Sequence, residues 1–234
     1  MSPFVFAVPY YNMGCMSETE RKPVFGLSFF TTMSNLLILN ILWLITSIPL
    51  ITIADTSAGM YHVMLKLERG TEDSVARPYF RFLKNNFFKS LPYALLMWAS
   101  LIGVLSLFFV LGGGGSALAI GLTAALTLIL VTLFGWVIPL FAQFDDTVGA
   151  MFSNAYNLAL QNPSATAVIA ACNVLLPALF LFLPGLFAYA LYLWMMIGHA
   201  VLCRIVCRKL LPVFKELMPE EETEPDEELT DDDE

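Results

Sequence analysis

Five apolar runs divide the chain, at about 27–53, 90–111, 117–141, 164–184 and 186–208. Each is long enough to cross the ~30 Å hydrocarbon layer of a bilayer as a helix. No Asp, Glu, Lys or Arg falls within them before the last turn of the fifth. Gly112-Gly113-Gly114-Gly115-Ser116 joins the second run to the third and Pro184-Gly185 the fourth to the fifth, connections short enough only for tight hairpins. The pattern predicts an all-α, polytopic transmembrane helix bundle of about five spans, with amphipathic connecting helices. The first run reads NILWLITSIPLITIADT over residues 40–56, with Asn40, Ser47, Pro49 and Thr52 set among apolar side chains. One reading is a span kinked at Pro49, whose freed carbonyl near Ile45 is covered by the Thr46 or Ser47 hydroxyl or by a neighbouring helix. The other is a re-entrant or interfacial pair broken near Pro49, and the choice sets the side of the N-terminus.

Between the runs the periodicity changes. Asp55-Thr56-Ser57 predicts the cap of a helix running to about Glu68 and closed by Gly70, and a second helix follows from about Ser74 to Lys89. On the second, Arg77, Arg81 and Lys84 form one cationic stripe beside an apolar stripe of Phe80, Leu83 and Phe87. Arg77, Arg81, Lys84 and Lys89 are therefore candidate ligands for lipid headgroups. Between the third and fourth runs, Val148, Met151, Phe152, Ala155, Leu158 and Ala159 share a face opposite Ser153, Asn154 and Asn157, and Asn162-Pro163 ends the helix. That face has no basic residue and reads as packing on protein, while Asp145 and Asp146 read as its N-terminal cap.

Composition agrees with a membrane protein, with 58% apolar and 14% charged residues. The net charge of −8 conceals two parts, because residues 220–234 hold 11 of the 20 carboxylates and no base. The twelve bases of the remaining chain stand against nine acids, leaving a mildly basic body of +3. Three domains follow: an N-terminal extension over 1–25, a transmembrane domain over 26–210, and an acidic tail over 211–234 read as disordered and cytoplasmic. Six of the bases lie between Asp55 and Lys89 and four between Arg204 and Lys215, which places those segments and the C-terminus in the cytoplasm. Five crossings then put the N-terminus outside.

The order Asn40, Trp43, Ser47, Pro49, Thr52, Ile53, then Ala58 and Tyr61, then Phe80, Phe82, Asn85 and Phe87, resembles the YesL-like family of bacterial multi-pass membrane proteins, a domain of unknown function. Pro139-Leu140-Phe141-Ala142-Gln143-Phe144, Asn154-Ala155 and Asn162-Pro163 resemble that family's central connection. The similarity spans roughly Gly26 to Leu210, and Asn40, Pro49, Thr52, Pro139, Asn154, Asn162 and Pro163 are its motif positions. The resemblance implies a bacterial cytoplasmic membrane protein accessory to carbohydrate uptake or sensing, in the company of ABC transporter or sensor-kinase components. Residues 158–177, LALQNPSATAVIAACNVLLP, also faintly resemble the coupling loop of ABC importer permeases, without that loop's Glu and with Ser164 where it has Gly. A permease-like subunit and a membrane scaffold for a sensor kinase are the alternative readings.

No enzyme signature emerges. The GGGGS turn lacks the Lys and helix of a phosphate loop, and no catalytic set, metal spacing or cofactor motif converges. Nothing points to nucleic acid. Asn35, Asn40, Asn173 and His199 read as polar groups satisfied between helices. Ala99 with Gly103, and Ala117, Gly121 and Ala125, read as close-packing faces, with a homo-oligomer as the lesser use. Cys203 and Cys207, beside Arg204, Arg208 and Lys209, read as buried thiols, with S-acylation as the alternative.

Overall fold

In the computed structural model the chain is described over residues 8–9, 25–71, 74–111 and 116–218. The acidic tail from residue 219 and most of the N-terminal extension lie outside these residues. The described chain is helical: α1 (Phe25–Thr46), α2 (Ile53–Arg69), α3 (Ala76–Val110), α4 (Ala117–Gln143), α5 (Val148–Gln161), α6 (Pro163–Phe182), α7 (Pro184–Leu193) and α8 (His199–Leu217). A 3-10 turn, Leu50–Thr52, precedes α2, and a π-helical turn, Trp194–Gly198, joins α7 to α8. One two-residue antiparallel ladder pairs β1 (Val8–Pro9) with β2 (Phe144–Asp145).

The first apolar run is an elbow rather than a kinked span. Pro49 disfavours helical geometry at Ile48 and brings no N–H of its own, so α1 stops at Thr46 and Pro49 is extended, with φ −73° and ψ 105°. The Ile45 carbonyl accepts from the Ile48 N–H at 3.4 Å, the Thr46 hydroxyl donates to the Leu42 and Trp43 carbonyls, and the Thr52 hydroxyl lies 2.6 Å from both the Thr46 and the Pro49 oxygens. Helix α2 then begins ahead of the expected cap, with Asp55 inside its first turn. It closes on Gly70 at φ 72°, where the Gly70 and Thr71 N–H groups donate to Leu67 and Lys66 as in a Schellman motif.

Helix α3 joins the expected amphipathic helix and second span into one 35-residue element, roughly 52 Å long at 1.5 Å per residue. Residues Pro184–Leu217 likewise run 34 residues through the π turn. Both exceed a hydrocarbon layer by about 15 residues. Among the described residues three helices, α3, α4 and Pro184–Leu217, are long and apolar enough to cross a membrane. A fourth crossing counts if α5 and α6, bent by 108° at Asn162-Pro163, act as one broken span, whereas the described apolar part of α1, Phe30–Thr46, is shorter. The expected all-α helical bundle is thus present, with three or four stretches among the described residues long and apolar enough to cross a membrane.

The packed core lies mainly beyond the apolar spans. Only 11% of each spanning window is buried, leaving those faces for hydrocarbon. Buried side chains concentrate in α2 (Met60, Val63, Met64, Leu65), the first half of α3 (Tyr79, Phe82, Tyr93), the last turns of α4 (Trp136 to Phe141), α5 (Met151, Leu158) and α8 (Val206, Leu210, Phe214). We call this body the cap. Helix α2 is its centre, touching α3, α4 and α8. Helix α8 continues beyond Leu210 to Leu217, with Phe214 buried edge-on to Phe144 at 5.7 Å.

Close helix approach uses glycines other than the expected ones. Gly103 and Gly121 face open space, and a methyl added there meets nothing within 4 Å. Gly135 on α4 instead faces α6, where an added Cβ overlaps a methyl of the stiff, fully buried Ile169 and lies 3.2 Å from Asn173 Nδ2. Gly135→Ala is therefore expected to destabilise by roughly 1–3 kcal/mol, as overpacking does. Gly121→Ala is expected to be neutral or to stabilise by about 0.5–1 kcal/mol. Thermal melting of the two variants in detergent, compared with the parent, measures both.

Candidate functional site

Two adjoining features are built on α1, the elbow and α2. The first is a buried node. Asn40, fully buried, meets the π turn: its Nδ2 donates to the Met195 carbonyl at 2.8 Å and the Trp194 carbonyl at 3.4 Å, and the Ala200 N–H donates to its Oδ1 at 2.9 Å. A π turn widens the helix and leaves backbone groups without their usual partners, and one primary amide supplies both an acceptor and donors to this one. Three residues on, Trp43 stacks on His199 with centroids 3.9 Å apart, and its indole N–H donates to Ser57 Oγ at 3.2 Å. The Trp194 ring also lies against the imidazole, tilted, with centroids 5.2 Å apart. The expectation of interhelical hydrogen bonds therefore holds for Asn40 but not for Asn173 or His199. Both His199 ring nitrogens are buried without a hydrogen-bond partner, and Asn173 donates within its own helix, to Ile169.

The second feature is a cleft of about 410 Å³, lined by Ile45, Thr46, Pro49, Thr52, Asp55, Thr56, Leu83, Lys84 and Phe87. Hydroxyls stitch its walls together: Thr46 Oγ1 lies 2.6 Å from Tyr79 OH, and Ser47 Oγ lies 2.8 Å from Thr56 Oγ1. Asp55 is only 1% exposed, and its Oδ1 has no hydrogen-bond partner among the described residues. Burial pushes its carboxyl up to about 7, against the opposing hydrogen bond from the Ser90 side chain. Expected as a helix cap, Asp55 is instead a buried acid in the first turn of α2. The available signal was its isolation, since no other Asp or Glu occurs between Arg21 and Leu67.

The expected lipid stripe is divided by the fold. Arg77, Arg81, Lys84 and Lys89 are all exposed, but Lys84 also lines the cleft and Lys89 pairs with Asp145 at 2.5 Å. Asp145 is thereby an ion-pair partner, and the cap of α5 is Thr147, whose hydroxyl accepts from the Ala150 N–H. Of the remaining motif positions, Pro139 is buried inside α4 and Asn154 is buried with its Nδ2 unpaired. Asn162 donates to the Leu158 carbonyl, and Pro163 opens α6. Glu68, expected only as the end of α2, receives Arg204 at 2.5 Å and Arg208 at 2.9 Å and ties that end to α8. Cys203 and Cys207 are buried, which removes them as acylation sites. No group of three or more His, Cys, Asp or Glu able to hold a metal occurs among the described residues.

Residues 36–110 match the sequence profile of a family described as a protein of unknown function, DUF624. The matched segment begins within α1 and ends with α3, so it carries the cleft and the α1 half of the node. No curated protein and no solved structure matches the chain.

Two outcomes test the site. Asn40→Ala strands the Ala200 N–H and the Met195 carbonyl at the π turn and is expected to lower stability by about 2 kcal/mol, read as an earlier unfolding midpoint in a denaturing-detergent titration. The folded protein holds a proton on Asp55 up to about pH 7, whereas an unfolded chain releases it near 4. Stability accordingly falls as pH rises from about 4 to about 7 and levels off above. Melting curves across that range are expected to show this slope in the parent and to lose it in Asp55→Asn.

Proposed function

We infer that the chain is a YesL-like protein of the bacterial cytoplasmic membrane, accessory to carbohydrate uptake or sensing, with its cap in the cytoplasm. One observation carries the reading: the packed core is a body outside the spans, built on helices that outrun the hydrocarbon layer, while the spans themselves bury little. A conduit concentrates packing and polar groups at membrane depth; a docking protein concentrates them where its partner stands. Orientation rests on charge, because Arg77, Arg81, Lys84 and Lys89 on α3 and Arg204, Arg208, Lys209 and Lys215 on α8 all belong to the cap half. In this reading Arg77 and Arg81 engage anionic headgroups, the cap engages an ABC transporter or a sensor kinase, and no step of catalysis is performed.

A second reading, a permease-like subunit, draws support from the 108° elbow between α5 and α6. There Tyr156 and Leu160 stand exposed, 59% and 64%, where a coupling loop presents itself to an ATPase subunit. Purification of the tagged protein from its native membranes in mild detergent, with mass spectrometry of stoichiometric partners, separates the readings. A sugar-binding protein, a transporter core or a histidine kinase is expected. An ATPase subunit that is lost on Tyr156→Ala together with Leu160→Ala favours the permease-like reading, and the absence of any partner overturns both.

A further inference from the structure

The cleft between the elbow and α3 has the chemical order of a lipid. Along α3, Lys84 comes first, then Phe87, then Ser90 beside Asp55, and further on Trp98, whose indole N–H donates to the Leu50 carbonyl at 3.0 Å. Lys84 thus stands nearer the cap, and the elbow reaches toward the spanning part of the helix. The elbow itself exposes Ile45, Ile48, Leu50 and Ile51, at 46–75%, a surface that belongs in hydrocarbon and not in water. Passing inward, the cleft presents an exposed ammonium, a buried carboxyl oxygen without a partner, and apolar walls from Ile45, Pro49, Leu83 and Phe87.

A buried acceptor without a donor is costly, and a ligand able to supply the donor gains from it. The donor must lie between an anion and an apolar chain if all three parts of the cleft are to be used. A diacyl phospholipid fails this requirement, because both glycerol oxygens next to its phosphate are esterified. A single-chain glycerophospholipid meets it, because the free glycerol hydroxyl sits between phosphate and chain. The volume of about 410 Å³ also suits one small ligand.

We propose that this cleft binds a lysophospholipid, with the phosphate on Lys84, the free glycerol hydroxyl donating to Asp55, and the acyl chain lying on Ile45, Pro49 and Phe87. The interaction is non-covalent and independent of the partner assigned above.

Native mass spectrometry of the full chain in detergent tests it with oleoyl lysophosphatidic acid, its 2-O-methyl ether, dioleoyl phosphatidic acid and glycerol 3-phosphate. The lysolipid is expected to bind one per chain, about fivefold tighter than the ether or the diacyl lipid, the difference of one hydrogen bond to a buried carboxyl oxygen. Asp55→Ala is expected to erase that preference, Lys84→Gln to weaken both single-chain lipids, and Lys209→Gln, exposed on α8 outside the cleft, to change neither. The comparison of lysolipid with ether uses the parent protein alone and stands even where Asp55→Ala fails to fold. Equal binding of the ether, an unchanged preference in Asp55→Ala, or displacement of the lysolipid by equimolar glycerol 3-phosphate would overturn the proposal, the last by assigning the cleft to a soluble phosphate.

Discussion

The hydrogen bonds between the Asn40 amide and the π turn at Trp194–Gly198 are the constraint on which the remaining geometry depends. They join the first helix to the last across more than 150 residues of sequence. A π turn in a spanning helix is tolerated only where its displaced backbone groups find partners, and here the partner is a single side chain on α1. With Asn40 seated, Trp43 falls against His199 and Ser57, and α2 emerges from the elbow into the middle of the cap. The elbow has little freedom left, because Thr52 holds the Thr46 and Pro49 carbonyls and Trp98 holds that of Leu50.

Charge and aromatic packing then complete the cap. Glu68 closes the far end of α2 against two arginines of α8, and Lys89 with Asp145 closes α3 against the end of α4. With two arginines on it, the largely buried Glu68 carboxylate is left with no uncompensated charge. These contacts lie at the cap's edge, and the apolar side chains of five helices fill its interior. The resulting body is stiff where it meets the polar phase and open where it meets lipid.

Much of this was legible from sequence for a physical reason: a bilayer imposes a length and a polarity that no soluble environment does, so the apolar runs and hairpin turns announce themselves. Gly70, Asn162 and Pro163 were legible for the same kind of reason, because their backbone chemistry is local. The failures share another cause. Whether Pro49 kinks a span or turns an elbow depends on where α2 finds its packing, which involves α4 and α8. Asp55, read as a cap, is a buried acid because Ser90 and Phe87 from another helix enclose it. Gly135 matters and Gly121 does not because Ile169 stands opposite one and nothing stands opposite the other. The ion pair of Lys89 was not foreseen, because Asp145 comes within its reach only in the fold. Each error concerned a partner far along the chain, and a periodicity reports only on the face a residue occupies.

The continuity of α3 has a mechanical consequence. One rigid rod of 35 residues runs from the apolar layer into the cap, and beyond its first turn Pro92 is the single position that lacks a backbone donor. A spanning helix answers a change in bilayer thickness by tilting, so thinning of the surrounding membrane rotates the outer half of this rod. Pro92, one turn beyond Lys89, is where that rotation is either absorbed as bending or passed on to α2. The molecule is in this sense a gauge, whose dial is the cap and whose pivot is a proline.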